Sequence, residues 1–298
     1  MKFPKIGCIY FQKKVNGMLD NLASTVVIDP KYNPILDVPY NVDGNEYHRF
    51  NVLHAANNRK NICLIDIHGG AYLFGHRIQN YYWGIKFLEA GFDYIAVDYI
   101  PNINKRSTFD IVNDCAECLD YIGTHLKELG LENDKIVLSG DSAGGHMALI
   151  LAEMIDNEDL ARQNYGGKIN LKPTCVMVNC PAYDFINLGV GKMTRAAQKF
   201  MFGPRWNDFE IRRLICPKYN IESLKMPVFL STASKDFLRN ESLMLKADLD
   251  RLGIENEFVD VHSDAKPFMH VHNKMYIDLA ESNEVNKDMM DFAIKHSK

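Results

Sequence analysis

Two glycine-bounded clusters in this chain hold the residue types that acyl-transfer chemistry requires. The first, Gly140-Asp141-Ser142-Ala143-Gly144, is a G-x-S-x-G sequence. A run with strand character, 135–139, precedes it, and an apolar helical run, 147–154, follows. Strand, tight turn and helix together lift a serine hydroxyl onto an exposed corner. Glycines flank the serine because side chains there would collide with neighbouring backbone. N–H groups at the helix start face any negative charge that forms above the hydroxyl. A glycine-rich turn with an incidental serine is the plain alternative, and this motif alone does not separate the two. The second cluster, His68-Gly69-Gly70-Ala71-Tyr72, closes another strand-like run, 62–67. Paired glycines after a strand let backbone N–H groups approach a ligand closely. Two such donors are needed to hold the oxyanion of a tetrahedral intermediate. The candidates are Gly69 and Gly70 in the loop and Ala143 after the serine. His68 reads as a brace for the turn rather than as a base. Neither cluster has the G-x-G-x-x-G spacing of a dinucleotide fingerprint.

The elements that must position these residues follow from periodicity. Short apolar runs at 62–67, 94–99, 135–139, 174–179, 228–232 and 257–261 alternate with amphipathic stretches. That pattern predicts an α/β fold with a mainly parallel sheet flanked by helices. A helix is expected from Ser107, with Asp110 placed as in a capping box, along a stripe of Val112, Ala116, Leu119 and Ile122. Further helices are expected over 142–154, 241–252 and 283–296. Two stretches break the alternation. Residues 1–45 read as an N-terminal extension without a strand. Residues 183–225, with Gly189, Gly191, Gly203-Pro204, Pro217 and interspersed aromatics, read as a small cap over a site within one domain.

Composition excludes several classes. The 298 residues are 47% hydrophobic and 24% charged, as in a globular protein rather than a disordered or fibrous one. A formal charge of −4 and the lack of any basic tract give no electrostatic case for nucleic acid. No run approaches the ~18 apolar residues of a membrane span. Lysines at positions 13 and 14 fall where a signal peptide would place its apolar region, so a cytoplasmic location is expected. Seven cysteines do not suggest a disulfide framework in a chain of this length. Cys115-Ala116-Glu117-Cys118 has redox or zinc spacing but lies inside a predicted helix with no second pair, and reads as coincidence.

With HGGAY at 68–72 and GDSAGG at 140–145, the sequence resembles the hormone-sensitive-lipase-like branch of the α/β-hydrolase fold, and within it bacterial esterases and lipases of the acetyl-esterase type. The resemblance runs from about Tyr47 to the C-terminus and takes in Val97-Asp98-Tyr99, Pro181 to Asp184, and Asp236. It implies the chain order serine, acid, histidine. Asp236, just past the run at 228–232, is the implied acid; Asp260 and Asp264 are weaker, and helix capping by Asp236 is the alternative role, for which Asn240 is better placed. His270 is the implied base by reach and family position. His262 sits too near a strand end, and His272, two residues on, would face the same side of an extended segment. Phe268 and Met269 would supply the apolar bulk that restricts the His270 imidazole. His125 and His146 read as packing or surface residues. Four departures stand out: Ala71 for a third glycine, Ala233 for a glycine, two histidines in place of His-Gly-Phe, and Ile100 where an arginine commonly supports Asp98. The last leads to the expectation of a missing ion pair.

The resemblance implies a serine carboxylic-ester hydrolase acting on short-chain acyl esters, with a small-molecule substrate and no metal or organic cofactor. An arylformamidase or peptidase on the same fold would use the same residues. A non-catalytic binding protein on a hydrolase scaffold is the alternative from a different class.

Overall fold

The computed structural model describes residues 26–102, 106–187, 199, 201–262 and 269–298. Gly189, Gly191, Asp264 and Phe268, named above, lie outside the described residues. Eight strands form one sheet: β1 (Ile35–Pro39), β2 (Arg49–Leu53), β3 (Ile62–Ile67), β4 (Asp93–Val97), β5 (Lys135–Asp141), β6 (Pro173–Asn179), β7 (Val228–Ala233) and β8 (Asn256–Val261). Their order is β1-β2-β4-β3-β5-β6-β7-β8. β1 and β2 pair antiparallel, as do β2 and β4; every later pairing is parallel. β3, β4 and β7 are buried at every position, which is why their sequences are mainly apolar rather than alternating.

The sheet is accompanied by helices α1 (Tyr81–Glu89), α2 (Thr108–Thr124), α3 (Ala143–Asp156), α4 (Glu158–Asn164), α5 (Phe209–Leu214), α6 (Arg239–Leu252), α7 (His272–Met275) and α8 (Ala280–His296). The two faces of the sheet feed separate cores. Cys63, Ile65 and Ile67 of β3 pack with residues of α2, α3 and α6; Ile62 and Leu64, alternating with them, pack with Trp83 and Phe87 of α1 and Met289 and Phe292 of α8. The start of α2 is set as expected: the Ser107 N–H donates to Asp110 Oδ2 at 2.6 Å. Cys115 and Cys118 are buried free thiols on that helix, both pushed well up by burial. No helix among the described residues is long and apolar enough to cross a membrane.

β1 corrects the expectation of no strand before residue 45. It is five residues long, ends in Pro39, and carries Asp37 in the left-handed region (φ 56°) at a register shift against β2. A bulged strand of this kind leaves no alternating signature to read. Within 183–225 the described residues hold α5 and several single-turn 3₁₀ segments. Phe185 stacks on His146 of α3 (ring centroids 4.6 Å) and packs between Tyr72 (4.9 Å) and Phe202 (5.1 Å). This places the segment against the 68–72 loop and the first turn of α3.

Helix α3 is buried along nearly its whole length, and Glu153 is caught inside it. Burial raises the Glu153 carboxyl well above its ordinary 4.5. Above 4.5 the folded state keeps a proton that the unfolded chain has released, so stability must fall as pH rises, by up to about 1.4 kcal/mol per pH unit. Glu153→Gln is expected to remove this component, giving urea midpoints that decline less than wild type between pH 5 and pH 8.

Candidate active site

The parallel strands open their C-terminal ends on one edge, and the chemistry-bearing residues gather there. β5 ends at Asp141, and Ser142 follows with φ 54° and ψ −117°, a strained backbone for a residue with a side chain. The Ser142 N–H donates to the Asn179 carbonyl (2.9 Å), tying the turn to the end of β6. Glycine at 140 and 144 is required by contact. A Cβ on Gly140 would lie 2.2 Å from the Gly144 carbonyl oxygen, and one on Gly144 would lie 2.0 Å from the Ile67 carbonyl oxygen. Ala143 opens α3, so its N–H is among those that no intrahelical carbonyl can accept from.

In the 68–72 loop, Gly70 has φ 135°, and Ala71 and Tyr72 are both left-handed. The Gly69 N–H donates to Asp141 Oδ2 at 3.2 Å. The Gly69 donor is thus engaged by the carboxylate that precedes the serine. His68 braces the loop as expected: its ring nitrogens meet the Gly69 carbonyl (2.7 Å) and Asp98 Oδ1 (3.1 Å), and it stacks on Tyr99. Burial disfavours its charge, but Asp98 outweighs burial and raises the imidazole above its ordinary value. The ion pair expected to be missing at Asp98 is present by another route, since Arg77 Nη1 reaches Asp98 Oδ2 at 2.9 Å.

Asp236 and His270 are brought together. His270 Nδ1 lies 2.8 Å from Asp236 Oδ1, and Asp236 also accepts from Thr232 Oγ1 (2.9 Å) and the Leu238 N–H (2.9 Å). Burial raises this carboxyl, yet the hydrogen bonds from His270, Cys180 and Leu238 prevail and hold it below the ordinary range. Asn240 is the second residue of α6 rather than its cap. Val271 is left-handed (φ 56°, ψ 37°) and α7 starts at His272, so the segment is not extended and the two histidines part. His272 is fully buried, and burial lowers its imidazole to about 4. The ring against His270 is Phe237 (centroids 4.3 Å), not Met269, which is exposed. Asp260 pairs with Arg239 and with exposed His262. His146 is buried against the Ile215 carbonyl and His125 stacks on Tyr121, both as packing residues.

Beneath the elbow lies a buried network that sequence reading missed. Lys274 of α7 is 1% exposed and bridges Asp66 Oδ1 (2.6 Å) and Asp141 Oδ1 (2.9 Å). Asn80 Nδ2 donates to Asp66 Oδ2 and Asp141 Oδ1, both at 2.8 Å, and the Trp83 ring lies 4.2 Å from the ammonium. Burial disfavours the Lys274 charge, but the two carboxylates raise its pKa above the ordinary value. A lone lysine in a polar stretch after His270 carries no signal of this; an aspartate in the middle of the apolar run 62–67 was the available hint, since a buried carboxylate demands a partner.

The BD-FAE family profile matches residues 52–249, about two thirds of the chain. The chain belongs to the BD-FAE family. That match spans β3 to α6 and so takes in both glycine clusters and Asp236. The carboxylesterase/phospholipase LipF of Mycobacterium tuberculosis is 27% identical over 209 residues, 64% of this chain and 52% of that protein. The chain thus spans about half the length of the curated relative it matches. Among solved structures, this BD-FAE member is similar to a tributyrin-phosphonate-inhibited esterase B from Lactobacillus rhamnosis (18% identity, TM-score 0.83, 98% of this chain and 96% of that one). It is also similar to a bacterial heroin esterase (19% identity, TM-score 0.70, 96% and 91%). Both likenesses extend over the sheet and its helices, and the fold is that of an α/β-hydrolase.

Lys274→Met would leave two carboxylates buried without their cation. Urea denaturation should show a loss of about 3–5 kcal/mol. Combining it with Asp66→Asn and Asp141→Asn should recover part of that loss, because the stranded charges are then gone.

Proposed function

We propose that the protein is a serine carboxylic-ester hydrolase. The observation that carries this reading is the hydrogen bond between Asp236, just past β7, and His270, beyond β8, at the same strand-end edge as a serine held in the strained elbow conformation. With its Nδ1–H given to Asp236, His270 presents Nε2 as the acceptor for the Ser142 hydroxyl proton. Ser142 Oγ attacks the ester carbonyl, and the N–H groups of Gly70 and Ala143 hold the oxyanion, with Gly69 joining where it releases Asp141. His270 then gives the proton to the leaving alcohol. Water, deprotonated by the same imidazole, hydrolyses the acyl-Ser142 ester. Asp236 stays ionised throughout and stabilises the imidazolium, a role its lowered pKa supports. Kinship with BD-FAE proteins and similarity to a carboxylesterase support ester rather than amide substrates. Inhibition involving a tributyrin phosphonate in the similar esterase B supports short acyl chains.

A fluorophosphonate probe should label wild type and not Ser142→Ala. The same variant should lose on the order of 10⁴-fold or more in kcat on p-nitrophenyl butyrate with unchanged circular dichroism. His270→Ala should lose nearly all activity, and His272→Ala should lose stability before it loses the chemistry. The reverse ranking would transfer the base to His272.

Across p-nitrophenyl esters, kcat/KM should be higher for acetate and butyrate than for palmitate. A long acyl groove would add ~0.8 kcal/mol per buried methylene and give a profile climbing to sixteen carbons, which would sink the short-chain reading.

A further inference from the structure

Among the described residues, Cys180 is a thiol at this edge that the reaction above leaves unused. It follows β6 in a left-handed conformation (φ 49°), and its Sγ accepts the Val271 N–H at 3.3 Å, immediately after His270. Its sulfur also lies beside the Asp236 carboxylate. Cys180 Sγ, a carboxylate oxygen of Asp236 and an imidazole nitrogen of His270 therefore lie within 4.8 Å of one another. Cys180 and Asp236 are buried, while the His270 side chain is 20% exposed, so the cluster is reached from the imidazole side.

We propose that Cys180, Asp236 and His270 form a binding site for a thiophilic divalent cation, zinc or cadmium, whose occupancy switches the hydrolase off. The donor set decides the ion. One thiolate, one imidazole and one carboxylate suit a borderline-to-soft cation, whereas magnesium and calcium take oxygen donors. Three protein donors leave a fourth position for water, as in open zinc sites. Binding replaces the thiol S–H by a metal–sulfur bond and releases that proton to solvent. The backbone N–H of Val271 stays on the sulfur and stabilises the thiolate. Phe237 over the imidazole lowers the local dielectric and strengthens the charge pairing. Whichever His270 nitrogen the cation takes, the base is lost: at Nδ1 it displaces the Asp236 hydrogen bond that orients the ring, and at Nε2 it occupies the lone pair that accepts the serine proton. The switching half of this proposal rests on the esterase reading; the site itself does not.

Titrating the full chain with cadmium should raise a thiolate-to-cadmium charge-transfer band in the ultraviolet that saturates at one equivalent. Cys180→Ser keeps a small hydrogen-bonding group there but is a poor ligand for cadmium, and His270→Ala deletes a second ligand. Each should weaken the band's apparent affinity by roughly tenfold or more. Zinc should inhibit wild-type hydrolysis of p-nitrophenyl butyrate reversibly, with EDTA restoring the rate. Cys180→Ser, scaled to its own metal-free rate, should need at least roughly tenfold more zinc for the same inhibition. A band of undiminished strength in both variants, or none in wild type, would overturn the site. Equal zinc sensitivity of Cys180→Ser and wild type would overturn the switch. A chain that gives the Cys180-dependent band yet hydrolyses no ester would overturn the esterase reading and leave the cation site standing.

Discussion

One buried cation governs the geometry of the strand-end edge. Lys274 has almost no contact with solvent, and a charge so placed is tolerated only when fully paired. Its two carboxylates come from neighbouring strands, Asp66 from the penultimate residue of β3 and Asp141 from the last residue of β5. Asn80 joins both, and Asp141 passes the constraint to the Gly69 N–H. The turn carrying His270, the serine elbow and the glycine loop are thereby fixed to one point. Hydrophobic packing alone would let these loops slide over one another; an ammonium with set donor directions does not. The same network explains why Asp66 interrupts an otherwise apolar strand.

A second constraint works from the other side of the elbow. The end of β6 accepts the Ser142 N–H through the Asn179 carbonyl and the Val271 N–H through Cys180 Sγ. Ser142 and the turn carrying His270 thus share a neighbour that moves with the sheet. Asp236 is oriented by Thr232, on the strand β7 that leads into it, rather than by its own loop alone. Every member of the constellation is referred to β3, β5, β6 or β7, the fully or nearly fully buried strands.

What the sequence disclosed follows the same division. The central strands were legible because burial on both faces leaves continuous apolar runs, and both glycine clusters because steric crowding admits no other residue at those places. Ser142, Asp236 and His270 were nameable from motif and order, and the last two do meet. β1 was illegible because a bulge and a terminal proline erase its periodicity. Helix α1 was missed because its apolar residues run together at Tyr81, Tyr82 and Trp83 before any spacing develops. The Arg77–Asp98 pair, the Phe237 ring on His270 and the Lys274 network all join residues far apart in the chain, and no local pattern encodes a partner 208 residues away, as Asp66 is from Lys274. The separation of His270 from His272 turned on one left-handed residue, Val271, for which a β-branched side chain gives no warning.

Val271 is not alone. Ala71, Tyr72, Ser142 and Cys180 also have side chains on left-handed backbone, and all stand around the same sheet edge. Each conformation costs on the order of 1–3 kcal/mol and persists only while its surroundings impose it. The strands need no such support, since their geometry is the chain's own preference. The molecule therefore has two tiers of local stability: a sheet that is hard to open, and a ring of turns that relaxes once a few contacts loosen. On gradual destabilisation the ring is the first part to lose its arrangement, so competence at this edge disappears while most of the secondary structure is still in place.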